Sequence, residues 1–150
     1  MIRHLTPEEV YIGIDGGYRF FTEGKLPGKF IPEVWLANWQ RLIVDRRGAI
    51  IAMFEDGSGE YMGAIGAVLA PDLCNNDIIA VECFWFLFEK YRGGGNGKLL
   101  LDEFEKWARG RNAVRCAMIH LTNLHPKELA GFYRHMGYAE VESHFLKDLS

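Results

Sequence analysis

The sequence has little of several features that would place a protein in a specialised class. It contains only three cysteines, Cys74, Cys83 and Cys116, with no CxxC pair and no Cys/His set at zinc spacing. We therefore expect free thiols in a reducing compartment, and no metal site. No apolar run approaches the roughly 20 residues needed to span a bilayer. The first ten residues also lack the apolar core of a secretory signal. These absences predict a cytoplasmic protein without a membrane anchor.

An excess of positive charge is also lacking. The chain carries 17 Lys and Arg against 20 Asp and Glu, a net charge of −3. No stripe of basic and aromatic residues is present, so nucleic-acid binding is not expected. With 150 residues and 49% apolar composition, the chain is long enough for a conventional core. We predict one globular domain over residues 1–150.

The patterns that are present predict both helices and strands. Thr6-Pro7-Glu8-Glu9 is a helix start, with a hydroxyl cap, proline at the first position and carboxylates near the positive helix end. Gly13, Gly16 and Gly17 weaken that helix, which is predicted to be short or broken. Two further helices are predicted over 32–42 and 126–136, and another through Leu100, Phe104 and Trp107. Strands are predicted over 49–54, 61–69, 78–88, 117–121, 138–141 and 145–149. This order indicates an α/β (α+β) fold, a mixed sheet with helices on its faces.

The segment "EKYRGGGNGKLL", residues 89–100, contains four glycines flanked by two cations, Arg92 and Lys98, and leads into an amphipathic helix. A Walker A loop is excluded because Arg92 stands where its first glycine belongs and Leu99 where its hydroxyl belongs. A dinucleotide-binding fingerprint, GxGxxG, that started at Gly93 would need its third glycine at position 98, which is Lys98. The pattern that fits is RxxGxG, formed by Arg92, Gly95 and Gly97. Uncovered N–H groups at a helix N-terminus suit a pyrophosphate without a metal.

This strand–loop–helix pattern resembles the GNAT acetyltransferase superfamily, whose signature loop is [RQ]xxGx[GA]. A second resemblance is "LAGFYRHMGY", residues 129–138, similar to the family's later Tyr-x-x-x-Gly-[Phe/Tyr] motif. The similarity covers residues 60–149 and is only topological before that. "ECFWFLFEKYRGGG" and "ESHFLKDL" also resemble small members of the family carried by phages and prophages.

The resemblance implies a fold and a cofactor. The fold is a GNAT-like, mostly antiparallel central sheet flanked by helices, with a splayed pair of parallel strands. The cofactor is acetyl-CoA, whose pantetheine arm would pair with backbone groups of Phe86 and Leu87. Its pyrophosphate would lie against the loop residues, which are Arg92, Gly93, Gly94, Gly95, Asn96, Gly97 and Lys98.

Two residues are candidate catalysts. Glu82 is the only charged residue between Ile78 and Phe88, and its apolar surroundings should raise its pKa toward that of a general base. The resemblance assigns Tyr133 as the acid that protonates the leaving thiolate. His120, or a water molecule, is the rival base.

One position departs from the family pattern. Pro126 stands where many members have an asparagine that contacts the cofactor. Asn123, three residues earlier, is the candidate replacement.

Several readings stay open. The main one is an N-acetyltransferase that acts on a small-molecule or peptide amine by direct attack on the thioester. The alternatives are a non-catalytic acyl-CoA-binding module and an acyltransferase acting on nucleic acid, with a nucleotide hydrolase as the weakest. Because members of the family often dimerise, a homodimer is the assembly that the resemblance suggests.

Overall fold

The computed structural model describes residues 1–149, which form two compact units, Met1–Ile119 and a second that begins at His120. The first unit is built on a five-stranded sheet in the order β1-β2-β3-β4-β5. Neighbouring strands run antiparallel, except that β4 and β5 are parallel. The predicted mixed, mostly antiparallel sheet is confirmed, whereas one domain over the whole chain stays a prediction. The strands are β1 (Ile2–His4), β2 (Gly48–Phe54), β3 (Tyr61–Pro71), β4 (Ile78–Leu87) and β5 (Ala113–Ala117).

Helices follow the predicted order. The first is interrupted as predicted, with a 3-10 segment over Pro7–Gly13 that continues into the first α-helix. At its start the N–H of Thr6 donates to the Glu9 carboxylate at 3.1 Å. A second 3-10 segment, Glu89–Tyr91, follows β4. The α-helices are α1 (Ile14–Glu23), α2 (Pro32–Val44) and α3 (Asn96–Gly110) in the first unit, and α4 (Pro126–His135) in the second.

Helices of the first unit cover both faces of its sheet. The ring of Phe84 on β4 lies 5.7 Å from that of Trp35 and 5.6 Å from that of Trp39, both on α2. The next residue, Trp85, faces the start of α3, where a Cβ on Gly97 would lie 3.2 Å from its ring. Successive strand residues point to opposite faces, so α2 and α3 sandwich the sheet. Its fully buried side chains include Ile50, Ile65, Leu100, Leu101 and Phe104.

Gly17 shows why a poor helix former lies inside α1. A Cβ at this position would lie 2.7 Å from the Trp35 indole, closer than real Cβ contacts allow. Glycine at this position lowers helix propensity by about 1 kcal/mol. The absence of a Cβ there allows α1 to pack closely against α2.

Three strand predictions are wrong. The last strand of the sheet, predicted over 117–121, is β5 at Ala113–Ala117, because Asn112 takes a positive φ and turns the chain into it directly after α3. The strands predicted over 138–141 and 145–149 do not form. Phe145 and Leu149 are 96% and 90% exposed. A strand exists only where a neighbouring strand accepts its hydrogen bonds, and the strand pairs among the described residues do not include these segments.

Candidate functional site

The parallel strands β4 and β5 separate part of the way along β4. Their pairing runs from Ile78 opposite Ala113 to Val81 opposite Ala117. Strand β4 continues to Leu87, and no described residue of β5 pairs with that second half. On the other side, Ala67 of β3 is opposite Glu82 and Gly66 is opposite Phe84, which leaves Cys83 as an extra residue in β4. Such a bulge bends a strand and increases its twist, so the divergence begins where Glu82 lies.

Glu82 is the one charged side chain in the buried part of the described chain, at 1% exposure. Its Oε2 accepts a hydrogen bond from the N–H of Ile119 at 2.8 Å. Its Oε1 has no hydrogen-bond partner among the described residues. Burial raises the pKa of Glu82 to about 8, although the Ile119 N–H acts in the opposite direction. A carboxyl group that titrates near neutrality with one free oxygen is suited to accept a proton.

Backbone groups of β4 alternate between β3 and the open side. The N–H of Phe88 donates to Met62 of β3 at 3.0 Å, so the groups of Phe86 also point to β3. Those of Leu87 point away, and its carbonyl accepts a hydrogen bond from Arg92 Nε at 2.8 Å. Of the two residues predicted to pair with a cofactor arm, the strand geometry favours Leu87 over Phe86.

The glycine loop, residues 93–97, leads from β4 into α3. Gly93, Gly94 and Gly95 have φ values of +88°, +58° and +86°. L side chains rarely adopt such values, which favour glycine. Their missing Cβ atoms would meet no heavy atom within 4 Å, so the loop is open on its outer side.

The glycine loop also presents backbone donors. No carbonyl or side chain of the described residues accepts a hydrogen bond from the N–H groups of Gly94, Gly95, Gly97 or Lys98. Asn96 has a different task, because its side-chain amide donates to the Tyr91 carbonyl at 2.9 Å and ties the loop to the preceding turn. Uncovered N–H groups at a helix start fit an anionic phosphate.

The two cations of the motif are already paired. Besides Leu87, Arg92 contacts the Glu23 carboxylate of α1 at 3.4 Å, and its guanidinium lies 5.1 Å from the Phe86 ring centroid. Lys98 pairs with Asp102 one turn along α3 at 2.6 Å. Much of the positive charge of the loop is therefore offset by carboxylates, and the backbone donors are its freest groups.

In the second unit, Tyr133 lies near the end of α4 and is buried at 8% exposure. Its ring centroid is 5.9 Å from that of Tyr138 and 6.2 Å from that of Phe132. His120 and Asn123 precede α4 and are exposed. The roles predicted for Tyr133, His120 and Asn123 stay predictions.

Sequence reasoning missed three parts of the site. These are the bulge at Cys83, the N–H donor of Ile119 and the carboxylate of Glu23. Ile119 is 37 residues from Glu82, and Glu23 is 69 residues from Arg92. No local signal marks such partners, because they meet only through the fold.

The described residues contain no group of three or more His, Cys, Asp or Glu that could hold a metal ion. None of the helices over residues 1–149 combines the length and apolarity needed to cross a bilayer.

The sequence was compared with models of protein families and with curated proteins. A family model described as the acetyltransferase (GNAT) family matches residues 16–138. The match begins well before residue 60, where the sequence resemblance became specific, and includes Glu82, the glycine loop and Tyr133. None of the curated proteins matches the chain.

Solved structures share the fold at low sequence identity. An aminoglycoside acetyltransferase from an uncultured soil metagenomic sample is 16% identical with a TM-score of 0.78, over 100% of this chain and 98% of that chain. A ribosomal-protein-alanine N-acetyltransferase from Brucella melitensis biovar Abortus 2308 is 15% identical with a TM-score of 0.73, over 99% of each chain. A predicted acetyltransferase from Clostridium acetobutylicum, solved with acetyl-CoA, is 13% identical with a TM-score of 0.78, over 99% and 96%.

Proposed function

The chain belongs to the GNAT acetyltransferase family, and from that premise we propose that it acetylates a primary amine by direct attack of the amine on acetyl-CoA. The observation that carries the proposal is Glu82, a buried carboxyl group with one unpartnered oxygen where β4 and β5 diverge. Burying a carboxyl with an oxygen unsatisfied is costly. That cost is understandable if the oxygen accepts a proton during a reaction.

The acetyl donor of the family, acetyl-CoA, supplies an activated thioester carbonyl when bound. On this chain the N–H groups of Gly94, Gly95, Gly97 and Lys98 would hold its pyrophosphate, because they are the uncovered donors at the start of α3. The N–H of Leu87 faces the open side of β4 and would hold the pantetheine arm, since the Leu87 carbonyl already accepts a hydrogen bond from Arg92. Arg92 keeps its remaining N–H donors for a phosphate oxygen.

Glu82 is the proposed general base. An alkylamine is protonated at neutral pH and cannot attack until it loses a proton. Oε1 of Glu82 takes that proton, while Ile119 holds Oε2 and fixes the orientation of the carboxylate. His120 and a water molecule are the rivals that a Glu82 variant tests.

Tyr133 is the proposed general acid. The neutral amine would form the N–C bond as the C–S bond breaks, and the Tyr133 hydroxyl would supply the proton that the sulfur needs. The Tyr133 oxygen would then take the proton that the new amide nitrogen releases, which restores the hydroxyl. Changing Tyr133 to Phe should lower kcat by about 10²-fold while leaving the Kd for acetyl-CoA within about threefold. Unchanged kcat in this variant would remove Tyr133 from the mechanism.

A small-molecule or peptide amine is the proposed acceptor. The structural neighbours are described as acting on aminoglycosides and on ribosomal-protein alanine. At 16% identity or less they share the fold, and the choice of acceptor has to come from the residues of this chain.

The first test is isothermal titration of the protein with acetyl-CoA, beside an Arg92→Ala/Gly97→Ala double variant. We expect micromolar binding by the native protein and at least about tenfold weaker binding by the double variant. Unchanged binding in the variant would move the cofactor site away from the loop. No binding by the native protein would overturn the proposed function.

A further inference from the structure

The bulge in β4 decides which of its side chains share a face of the sheet. Residues opposite one another on neighbouring strands point to the same face, and successive residues of a strand point to opposite faces. Ala67 is opposite Glu82 and Gly66 is opposite Phe84, so Glu82 and Phe84 lie on opposite faces. Trp85 follows Phe84 and therefore lies on the face of Glu82. Helix α3 begins on this same face, where its first turn lies against the Trp85 ring.

The contact between Trp85 and α3 lies at Gly97. A Cβ added at Gly97 would lie 3.2 Å from Cζ2 and 3.7 Å from Cη2 of the Trp85 indole. Gly97 also begins the stripe of α3 that faces the sheet, and the next residues at helical spacing, Leu100, Leu101 and Phe104, are fully buried. The backbone of Gly97 therefore rests on the edge of the indole, at a separation that leaves little room for a side chain.

Glycine at position 97 is not explained by its backbone conformation. Gly93, Gly94 and Gly95 have positive φ values and Gly97 does not, because it lies inside the helix. Alanine is favoured over glycine by about 1 kcal/mol within a helix. The narrow space beside Trp85 is the feature that favours glycine here.

The same turn carries donors of the proposed phosphate site. The N–H groups of Gly97 and Lys98 donate to no described residue. Donors of a binding site must be held to within about 0.5 Å by the residues that support them. Trp85 is such a support, because it lies behind Gly97, whereas the missing Cβ atoms of residues 93–95 would meet no heavy atom within 4 Å.

We propose that Trp85 is a positioning residue of the cofactor site. Its indole sets the height of the first turn of α3 above the sheet, so that the N–H groups of Gly97 and Lys98 meet the pyrophosphate of acetyl-CoA. It also requires glycine at position 97. The inference rests on the proposed function and adds to its cofactor site a residue of β4 outside the glycine loop. Trp85 thereby connects the loop to the strand face that carries Glu82, the proposed base.

A double-mutant cycle on Trp85 and Gly97 tests the proposal, with the Kd for acetyl-CoA measured by isothermal titration. Gly97→Ala should raise the Kd about tenfold in the native protein and less than about twofold in Trp85→Leu, since the smaller side chain leaves room for the Cβ. The resulting coupling, about fivefold or more, is of the size found for residues in contact. Trp85→Phe, whose ring is shorter than the indole, should relieve the effect as well, and it serves in place of Trp85→Leu should that variant fail to fold.

Two control variants lie toward the other end of α3. Gly110→Ala adds a Cβ with no heavy atom within 4 Å. Trp107→Phe removes an indole that is 7% exposed and lies 6.3 Å from the Phe104 ring centroid. Because neither residue supports the first turn, neither variant should change the Kd by more than about twofold.

Fluorescence provides a readout that a purely structural role would not change. The chain has four tryptophans, and Trp85 lies against the glycine loop. Acetyl-CoA should change the emission of the native protein with the Kd that calorimetry gives. Trp107→Phe should keep this change, and Trp85→Phe should lose most of it.

The outcomes separate the two proposals. A Gly97→Ala variant that binds as tightly as the native protein overturns the positioning role and leaves acetyl transfer standing. So does a loss of affinity that is the same in the Trp85→Leu and Trp85→Phe backgrounds, or an emission change that persists in Trp85→Phe. Failure of the native protein to bind acetyl-CoA overturns the proposed function itself.

Discussion

Glu82 and the glycine loop are neighbours along the chain but differ in almost every physical respect. Glu82 is a buried side chain whose charge is disfavoured by its surroundings. The loop is exposed backbone with several N–H donors that no described residue accepts, and the cations on either side of it, Arg92 and Lys98, are paired with Glu23 and Asp102. Glu82 is shielded from water, and the glycine loop is exposed to it.

The contrast between a buried carboxyl group and an exposed loop corresponds to two tasks, proton transfer and cofactor binding. A carboxyl group titrates near neutrality only when its pKa is raised, and burial has this effect at Glu82. A phosphate contact needs donors in a fixed array, which requires glycine conformations and a helix start but no burial. Changes at Glu82 should therefore affect rate and pH dependence, whereas changes at the loop should affect affinity.

The largest expected effect is on the rate. Glu82→Gln keeps the size of the side chain and an oxygen for Ile119 but cannot take a proton. It should lower kcat about 10²- to 10⁴-fold. The native kcat/KM should rise with pH and level off above the pKa of Glu82, about 8, because the base must be ionised. The variant should not level off near pH 8, because its rate would follow the fraction of neutral amine, which rises with pH up to the amine pKa of roughly 10. A variant as active as the native enzyme would transfer the role of base to His120 or water.

The same carboxyl group should make stability depend on pH. Burial raises the pKa of Glu82 from 4.5 to about 8, so the unfolded chain releases this proton at lower pH than the folded chain. Stability is then lost as pH rises through that interval, on the order of 5 kcal/mol in total. Urea unfolding near pH 5 and pH 8 should show this loss in the native protein and not in Glu82→Gln. Equal losses of unfolding free energy in the native protein and in Glu82→Gln would mean that Glu82 is already ionised in the folded protein at pH 5.

A moderate effect is expected from the loop backbone. Gly95 caps α3 with a φ of +86°, and an alanine there costs roughly 1–2 kcal/mol for the left-handed conformation. Gly95→Ala should therefore lower the free energy of unfolding and weaken acetyl-CoA binding in titration. Gly110→Ala, at the other end of the same helix with open space around it, is the matched control. It should leave binding unchanged and stability equal or slightly higher.

The smallest effect concerns the paired cations. Asp102→Asn releases Lys98 from a solvent-exposed pair, which should change stability by no more than roughly 0.5 kcal/mol. It should tighten acetyl-CoA binding by less than about fivefold, and added salt should reduce the gain. Glu103→Gln, which releases Lys106, should have no such effect. A loss of affinity in Asp102→Asn would mean that the pair orients Lys98 for binding.

Sequence patterns predicted the parts of this protein that depend on local chemistry. The buried β4, the hairpin of β2 and β3 and α3 after the glycines were all expected from short-range periodicity and turn residues. Glu82 was distinguishable because a single charge interrupts an apolar run. Apolar alternation near the C-terminus predicted two strands that do not form, because a pattern states which face could be buried and not whether a neighbour is there to pair.

The sequence by itself determined the helix starts, the glycine loop and the position of one carboxylate in an apolar strand. Only the tertiary structure decided that β4 bulges at Cys83, that Ile119 engages one oxygen of Glu82 and that the other is left without a partner. The physical reason is distance along the chain. Turn and helix preferences act over a few residues, whereas burial and strand pairing are properties of segments that the fold brings together.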